Sequence, residues 1–221
     1  QEEADEAMAM LTEAAAQGHA EAQACLGEMY NFGQGVAQDD ARTFELYSQA
    51  ALQGHARSQY NVGILYRKGL GCEQSDERAA EWWAKAAEQG DAFAQGELGK
   101  AHLVGKGVPR CFKRAVELFK LGEAQGDATS TVSLGVCYSV GMGVDMSLAE
   151  ARRLFELSVV RGEPEEATGW LQKLNHTTLS DCPLLGQRVV LAGLNTEALN
   201  GTRGTAVDFG FTGRDPETNN L

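Results

Sequence analysis

Proline is scarce in this sequence, 4 in 221 residues, and no apolar run comes near the roughly 20 residues that a membrane-spanning helix needs. So little proline, with no Gly-x-y period, excludes a collagen-like chain and a stiff proline-rich linker. Positive charge is also short: 19 Lys and Arg stand against 31 Asp and Glu, a formal net charge of −12 and a sequence pI near 4.8. That balance repels phosphate backbones and anionic lipid, so nucleic acid is disfavoured as a partner and no membrane span is expected. The five cysteines, Cys25, Cys72, Cys111, Cys137 and Cys182, form no CxxC and are odd in number. They support neither a zinc site nor a complete disulfide framework, and they suit reduced thiols in a cytoplasmic protein. No basic, apolar, small-residue leader opens the chain, which starts at Gln1 rather than Met, as a fragment or processed product would.

Signatures of catalysis are missing too. Nothing matches GxxxxGK(S/T), GxSxG or HExxH, and the Gly-x-Gly pairs lack the third Gly and the strand context of a dinucleotide site. Carboxylate pairs such as Glu165 and Glu166 fall on a helix surface without a nucleophile or metal ligand beside them. We therefore expect no enzyme, no catalytic residue, no metal and no cofactor. Asn175-His-Thr177 and Asn200-Gly-Thr202 match glycosylation acceptors, which matter only in a secreted chain.

What the sequence has in excess is glycine, 26 residues, and most of it is periodic. Gly18, Gly54, Gly90, Gly126 and Gly162 recur every 36 residues. In the same register lie Gly27, Gly63, Gly99 and Gly135, then the pairs Gly33/Gly35, Gly69/Gly71, Gly105/Gly107 and Gly141/Gly143. Such a period marks a stack of supersecondary units. Apolar columns accompany it: Leu26, Val62, Leu98 and Leu134, with Tyr30, Tyr66, His102 and Tyr138 one turn on. Further along come Leu46, Trp82, Leu118 and Leu154 beside Tyr47, Trp83, Phe119 and Phe155, with Ala50, Ala86, Gly122 and Ser158 three positions later. Each unit reads as helix A (about 20–31 in the first), a Gly-x-Gly loop, helix B (about 40–52) and a Gly stop. Residues 1–17 supply a further helix B.

The glycine columns have different tasks. Gly18 and its equivalents suit the left-handed position just past a helix end. Gly27 and its equivalents lie inside helix A, where Gly costs about 1 kcal/mol against Ala, so a close helix crossing is expected to compensate. His19 and His55 share a column with Asp91, Asp127 and Glu163 immediately before helix A, which argues for helix-terminus roles rather than catalysis. His102 stands in the tyrosine column as a packed ring.

The run from Gly18 through Leu26, Gly27, Tyr30, Gly33, Gly35, Val36 and Asp39 resembles the Sel1-like repeat, a relative of the tetratricopeptide repeat. It recurs through Gln59, Val62, Gly63 and Tyr66, through Gln95, Leu98, Gly99 and Val108, and through Leu134, Gly135, Tyr138 and Val144. The fourth unit departs with Thr131 for the usual Gln, and after Gly162 the columns fail, with Leu171 where Gly is due. The resemblance implies an all-α protein, a right-handed superhelical solenoid of paired antiparallel helices that grips another protein, as an adaptor or scaffold. Residues 1–162 would form the repeats and 163–175 a terminal capping helix, with Pro164 in its first turn. Some secreted relatives carry column-aligned cysteine pairs and are linked to penicillin binding. Here Cys25, Cys72, Cys111 and Cys137 fall in four different columns, so a secreted penicillin-binding or β-lactamase type does not fit.

The repeats also provide their own comparison, since columns that vary on one helical stripe are free to specialise. On helix A these read Glu21, Cys25, Glu28, Phe32, then Arg57, Asn61, Ile64, Lys68, then Phe93, Glu97, Lys100, Val104, then Thr129, Ser133, Val136, Val140. In related solenoids helix A lines the concave face. The candidate partner-binding residues are therefore Phe32, Asn61, Ile64, Lys68, Phe93, Glu97, Lys100 and Val104, for a protein or peptide partner. Charge is uneven as well: residues 1–41 hold nine acids and no Lys or Arg, whereas 100–120 hold six Lys and Arg against Glu117 alone. A solvated surface or an orienting gradient for a peptide would both look like this.

Beyond a linker at 176–185 the pattern changes. Arg188-Val189-Val190-Leu191 and Thr205 to Phe211 read as strands, with Asn200-Gly201 as a turn between them. Residues 186–221 loosely resemble the opening of an SH3-like or KOW-type barrel, too short to close, and are expected to form a partial β-rich module with an open edge. KOW-type barrels often touch RNA, which gives an alternative function. The segment 176–221 nonetheless has three Arg against five acids and no basic patch.

Overall fold

The computed structural model describes residues 2–162 and 164–176, and within them the chain is all α-helical. The helices are α1 (Glu2–Ala16), α2 (Ala20–Phe32), α3 (Asp40–Leu52), α4 (Ala56–Lys68), α5 (Asp76–Glu88), α6 (Ala92–Val104), α7 (Phe112–Ala124), α8 (Ala128–Val140), α9 (Leu148–Arg161) and α10 (Pro164–His176). The even-numbered α2 to α8 are the helix A elements, and α1 and the odd-numbered α3 to α9 the helix B elements. The expected bounds hold to within one residue in the first full repeat. The β-rich module expected at 186–221, and the linker beyond His176, lie outside the described residues.

The 36-residue period is built from the same local devices each time. At the end of α3, the N–H of His55 reaches back to the Ala50 carbonyl at 3.1 Å and Gly54 N–H to Ala51 at 3.0 Å. This closure requires Gly54 at φ 92°, a region where a Cβ is strained. Helix B then starts on a capping side chain: Asp39 accepts from the N–H groups of Ala41 and Arg42, Ser75 from Arg78, and Ser147 from Glu150. Cys111 occupies the same column without a side-chain cap bond. Helix A is capped by Asp91 on Ala94 N–H and by Asp127 on Ser130 N–H. His55 does the same through Nδ1, which accepts from Ser58 N–H, whereas His19 makes no side-chain cap bond. The structural reading of this histidine column is thus realised at His55 by the ring itself. His102 packs in the tyrosine column with Nδ1 3.1 Å from the Pro109 carbonyl.

Contacts divide the chain inside α6 into two units. The first holds α1–α5, Ala92–Leu98 of α6 and the loop residues Lys106–Val108. Its core runs through Leu26, Tyr47, Val62, Leu65 and Trp83, with Phe44 edge-on to Tyr66 at 5.2 Å. The second holds the remainder of α6 and α7–α10. Its core is formed by Phe119, Leu134, Cys137, Leu154 and Phe155, and α10 adds Ala167, Leu174 and the Trp170 ring, stacked 5.9 Å from Phe155.

In both units the helix-A glycine is a packing device. A Cβ on Gly27 would sit 2.9 Å from the Tyr47 ring, on Gly99 2.6 Å from Phe119 and on Gly135 2.7 Å from Phe155, while on Gly63 it would strike the Trp83 indole. The close crossing expected from the sequence is therefore between helix A and the aromatic of its own helix B. The hydrogen of glycine is what admits a buried ring there.

Candidate interaction face

The variable helix-A stripe begins on α2 with Glu21, Cys25, Glu28 and Phe32, all exposed. The Cys25 thiol is held above its usual pKa by partial burial first, then by the Glu21 and Glu28 carboxylates. Phe32 is 63% exposed at the end of α2 and has no ring partner among the described residues.

On α4 and the first half of α6 the stripe closes into a cluster. The Arg57 guanidinium lies 4.5 Å from the Phe93 ring centre and 5.4 Å from that of Tyr60, and the two rings are 5.9 Å apart. Nearly three turns further along α4, Arg67 is ion-paired with Glu97, which lies one turn past Phe93 on α6, and sits 5.4 Å from the centre of the Trp83 ring. Trp83 in turn donates Nε1–H to the Tyr60 carbonyl at 3.3 Å. Asn61 and Ile64 sit half-buried between these two cation sites, and Lys68 is exposed at the helix end. Burial and the nearby Glu97 carboxylate push the Tyr60 hydroxyl pKa up, so it stays a neutral donor at any ordinary pH.

Of the residues singled out from the sequence, the structure therefore brings Asn61, Ile64, Phe93 and Glu97 around one surface of the first unit, with Lys68 at its edge. Lys100, half-buried, and Val104, 46% exposed, belong to the second unit, where Thr129, Ser133, Val136 and Val140 continue the stripe half-buried on α8. Sequence reading missed Tyr60. Its column runs Ala24, Tyr60, Gly96, Val132, and the signal was a lone aromatic there facing the lone aromatic Phe93 of the next unit.

The joints beside this face are equally specific. Glu21 on α2 lies 3.2 Å from His55 Nε2, and since His55 Nδ1 accepts from a backbone N–H, the neutral ring carries its proton on Nε2, toward the carboxylate. Buried glutamines tie successive turns: Gln23 donates to the Ala15 carbonyl and accepts from Gln53, and Gln59 donates to Ala51 and accepts from Gln89. At Thr131 the pattern changes hands. Arg161, which stands in the Gln53 column, donates to Thr131 Oγ1 at 2.8 Å and to the Glu123 carbonyl at 3.0 Å. Among the described residues no three His, Cys, Asp or Glu side chains gather as metal ligands would, and no helix is long and apolar enough to cross a membrane.

The repeat geometry has direct counterparts among known proteins. The family model for the Sel1 repeat matches residues 3–19, 20–55, 56–91, 92–127 and 130–159. A Sel1 repeat protein from Oxalobacter formigenes is similar at 31% identity and a TM-score of 0.67, over 75% of this chain and 68% of that one. The protein c5321, a protective antigen of uropathogenic Escherichia coli with an SLR fold, is similar at 26% identity and a TM-score of 0.54. That match covers 77% of this chain but only 48% of c5321. A search of curated protein sequences gives no match. With the Sel1 repeat model matched in five successive segments that span most of the sequence, the chain belongs to the Sel1 repeat family.

Proposed function

We propose that the protein is a non-enzymatic adaptor that binds a protein or peptide partner along the helix-A stripe of its first unit, with Ile64, Asn61, Phe93 and Glu97 at the centre of the contact and Phe32 and Lys68 beside it. Sel1 repeat proteins are generally protein-interaction scaffolds, and that is the coarse function of the family. The observation that carries the finer reading is the placement of Phe93, 47% exposed, against Arg57 and Tyr60 on a stripe whose residue types change from repeat to repeat. The glycine and aromatic columns that hold the fold keep their residue type; the Phe93 column does not, and Phe93 faces solvent. Large aromatic and Arg side chains in such a position are the usual anchors of an interface.

The alternatives are less well supported. RNA binding would fall to residues 186–221, which lie outside the described residues. The penicillin-binding type requires column-aligned cysteine pairs that this chain does not have. A cytoplasmic setting fits the absence of such pairs.

Affinity capture from the native organism tests the reading with Phe93→Glu on one side and Leu52→Glu on the other, Leu52 being 75% exposed on α3, a helix-B element outside the stripe. The first variant is expected to lose the captured partner with its helical circular dichroism and melting unchanged, and the second to keep it. Retention by the first and loss by the second would move the site to the helix-B side.

A further inference from the structure

We propose that the α4 face takes an extended acidic segment of the partner, with Arg57 and Lys68 each holding one of its carboxylates and Ile64 with Phe93 receiving an apolar side chain between them. This deepens the adaptor reading and rests on it. In a chain of net −12, α4 carries Arg57, Arg67 and Lys68 and not one Asp or Glu. Arg67 is already engaged by Glu97 and Trp83. Arg57 and Lys68 are not: both are exposed, and among the described residues neither has a carboxylate within ion-pair distance.

The surroundings of Arg57 explain why its charge is available yet held in place. The faces of Phe93 and Tyr60 attract the cation but use none of its five N–H donors in a conventional hydrogen bond. A planar donor fork resting on an aromatic floor is the geometry that recognises a carboxylate bidentately, with part of the side-chain ordering already done. Asn61, one turn on, has a carboxamide with no hydrogen bond among the described residues, suited to the backbone of an extended chain. Of the neighbouring carboxylates, Glu97 is ion-paired with Arg67 and Glu21 faces His55, and neither lies within ion-pair distance of Arg57 or Lys68. Glu28 on α2 is exposed and acidic, which confines the acidic footprint to α4.

Spacing makes the inference specific. Arg57 and Lys68 are 11 residues apart in sequence, about 16 Å along the helix axis. An extended chain covers that distance in about five residues. The partner's two acidic residues are therefore expected four to six positions apart, with an apolar residue between them.

The test uses the full chain and fluorescein-labelled ten-residue Gly/Ser peptides with one central Leu and two Glu set 2, 4, 5, 6 or 8 positions apart, read by fluorescence anisotropy at low salt. Binding is expected to peak at separations of 4–6, to weaken about tenfold at 2 and 8 or when Lys replaces Glu, and to weaken as salt is added. Arg57→Glu and Lys68→Glu are each expected to cost about tenfold and Leu52→Glu nothing. If Arg57→Glu disturbs the helical spectrum, Arg57→Gln takes its place. Binding that ignores separation, charge sign or both cation variants overturns the proposal, as does the absence of binding by every Glu peptide. A photoreactive residue placed at Ile64 separates this from the adaptor reading. A crosslink to an acidic partner segment supports both; a crosslink to a segment without acids removes the carboxylate assignment and leaves the adaptor; capture with no crosslink at Ile64 removes both.

Discussion

A single methyl group distinguishes two kinds of helical glycine in this protein. On Gly63 it would drive into the Trp83 indole, whose Nε1–H is engaged by the Tyr60 carbonyl, whereas on Gly169 in α10 it would meet nothing within 4 Å. Gly63→Ala is therefore expected to lose about 1–3 kcal/mol from overpacking even after the gain in helix propensity, and Gly169→Ala to gain about 0.5–1 kcal/mol. Urea unfolding of the two variants checks the opposite signs. A second residue-scale effect comes from burial of a titratable group. Cys137 is fully buried in the second unit, and burial pushes its thiol pKa up to about 12 from an ordinary 9.0. The folded state then keeps a proton that the unfolded chain gives up, so this stability is fully present below about pH 9 and is lost as pH rises toward 12. Tyr47, raised to about 12 mainly by burial and then by Glu28, acts with the same sign from about pH 10. Cys137→Ala is expected to flatten the fall in melting temperature between pH 9 and 10 relative to the parent protein, and parallel profiles would contradict the assignment.

At the scale of elements, the repeats are joined by buried polar pairs whose chemistry can be exchanged. Gln23 with Gln53, and Gln59 with Gln89, satisfy the carbonyls of Ala15 and Ala51 at the end of the preceding helix B. In the fourth repeat Thr131 is too short to reach the equivalent Glu123 carbonyl, and Arg161 spans both groups instead. The sequence showed Thr131 as a departure, but Arg161 could not be recognised as its compensation without knowing that their two columns touch. Arg161→Gln alone should leave the Glu123 carbonyl and Thr131 hydroxyl poorly satisfied and cost about 1–3 kcal/mol. Adding Thr131→Gln rebuilds the glutamine pair of the earlier repeats and should recover most of that loss. A double-mutant cycle in urea measures the coupling, and strict additivity would show that the two positions act independently.

At the scale of the whole molecule, each helix pair is stabilised chiefly by its neighbours, so damage should stay local. Trp170→Ala removes the ring stacked on Phe155 and is expected to speed amide exchange in α8 and α9 while leaving α2–α5 unchanged. Uniform acceleration along the chain would instead indicate one cooperative fold. The architecture that makes this expectation possible was legible from the 36-residue period, because glycine at a left-handed turn, glycine under an aromatic ring and an acid or hydroxyl at a helix start are demands of local backbone and steric chemistry. Those demands act within one repeat, and repetition made them visible in Gly54, Gly99 and Ser75. The interaction face was legible only as a stripe. Its variable columns could be listed, but that Arg57 rests on Phe93, that Arg67 is ion-paired with Glu97, and that Lys68 has no carboxylate within ion-pair distance among the described residues depend on pairings between residues 30 or more positions apart. The sequence alone determined the helix-pair repeat, because its causes are local; only the tertiary structure decided which charges of α4 remain available to a partner, because electrostatic pairing is set by distance in space.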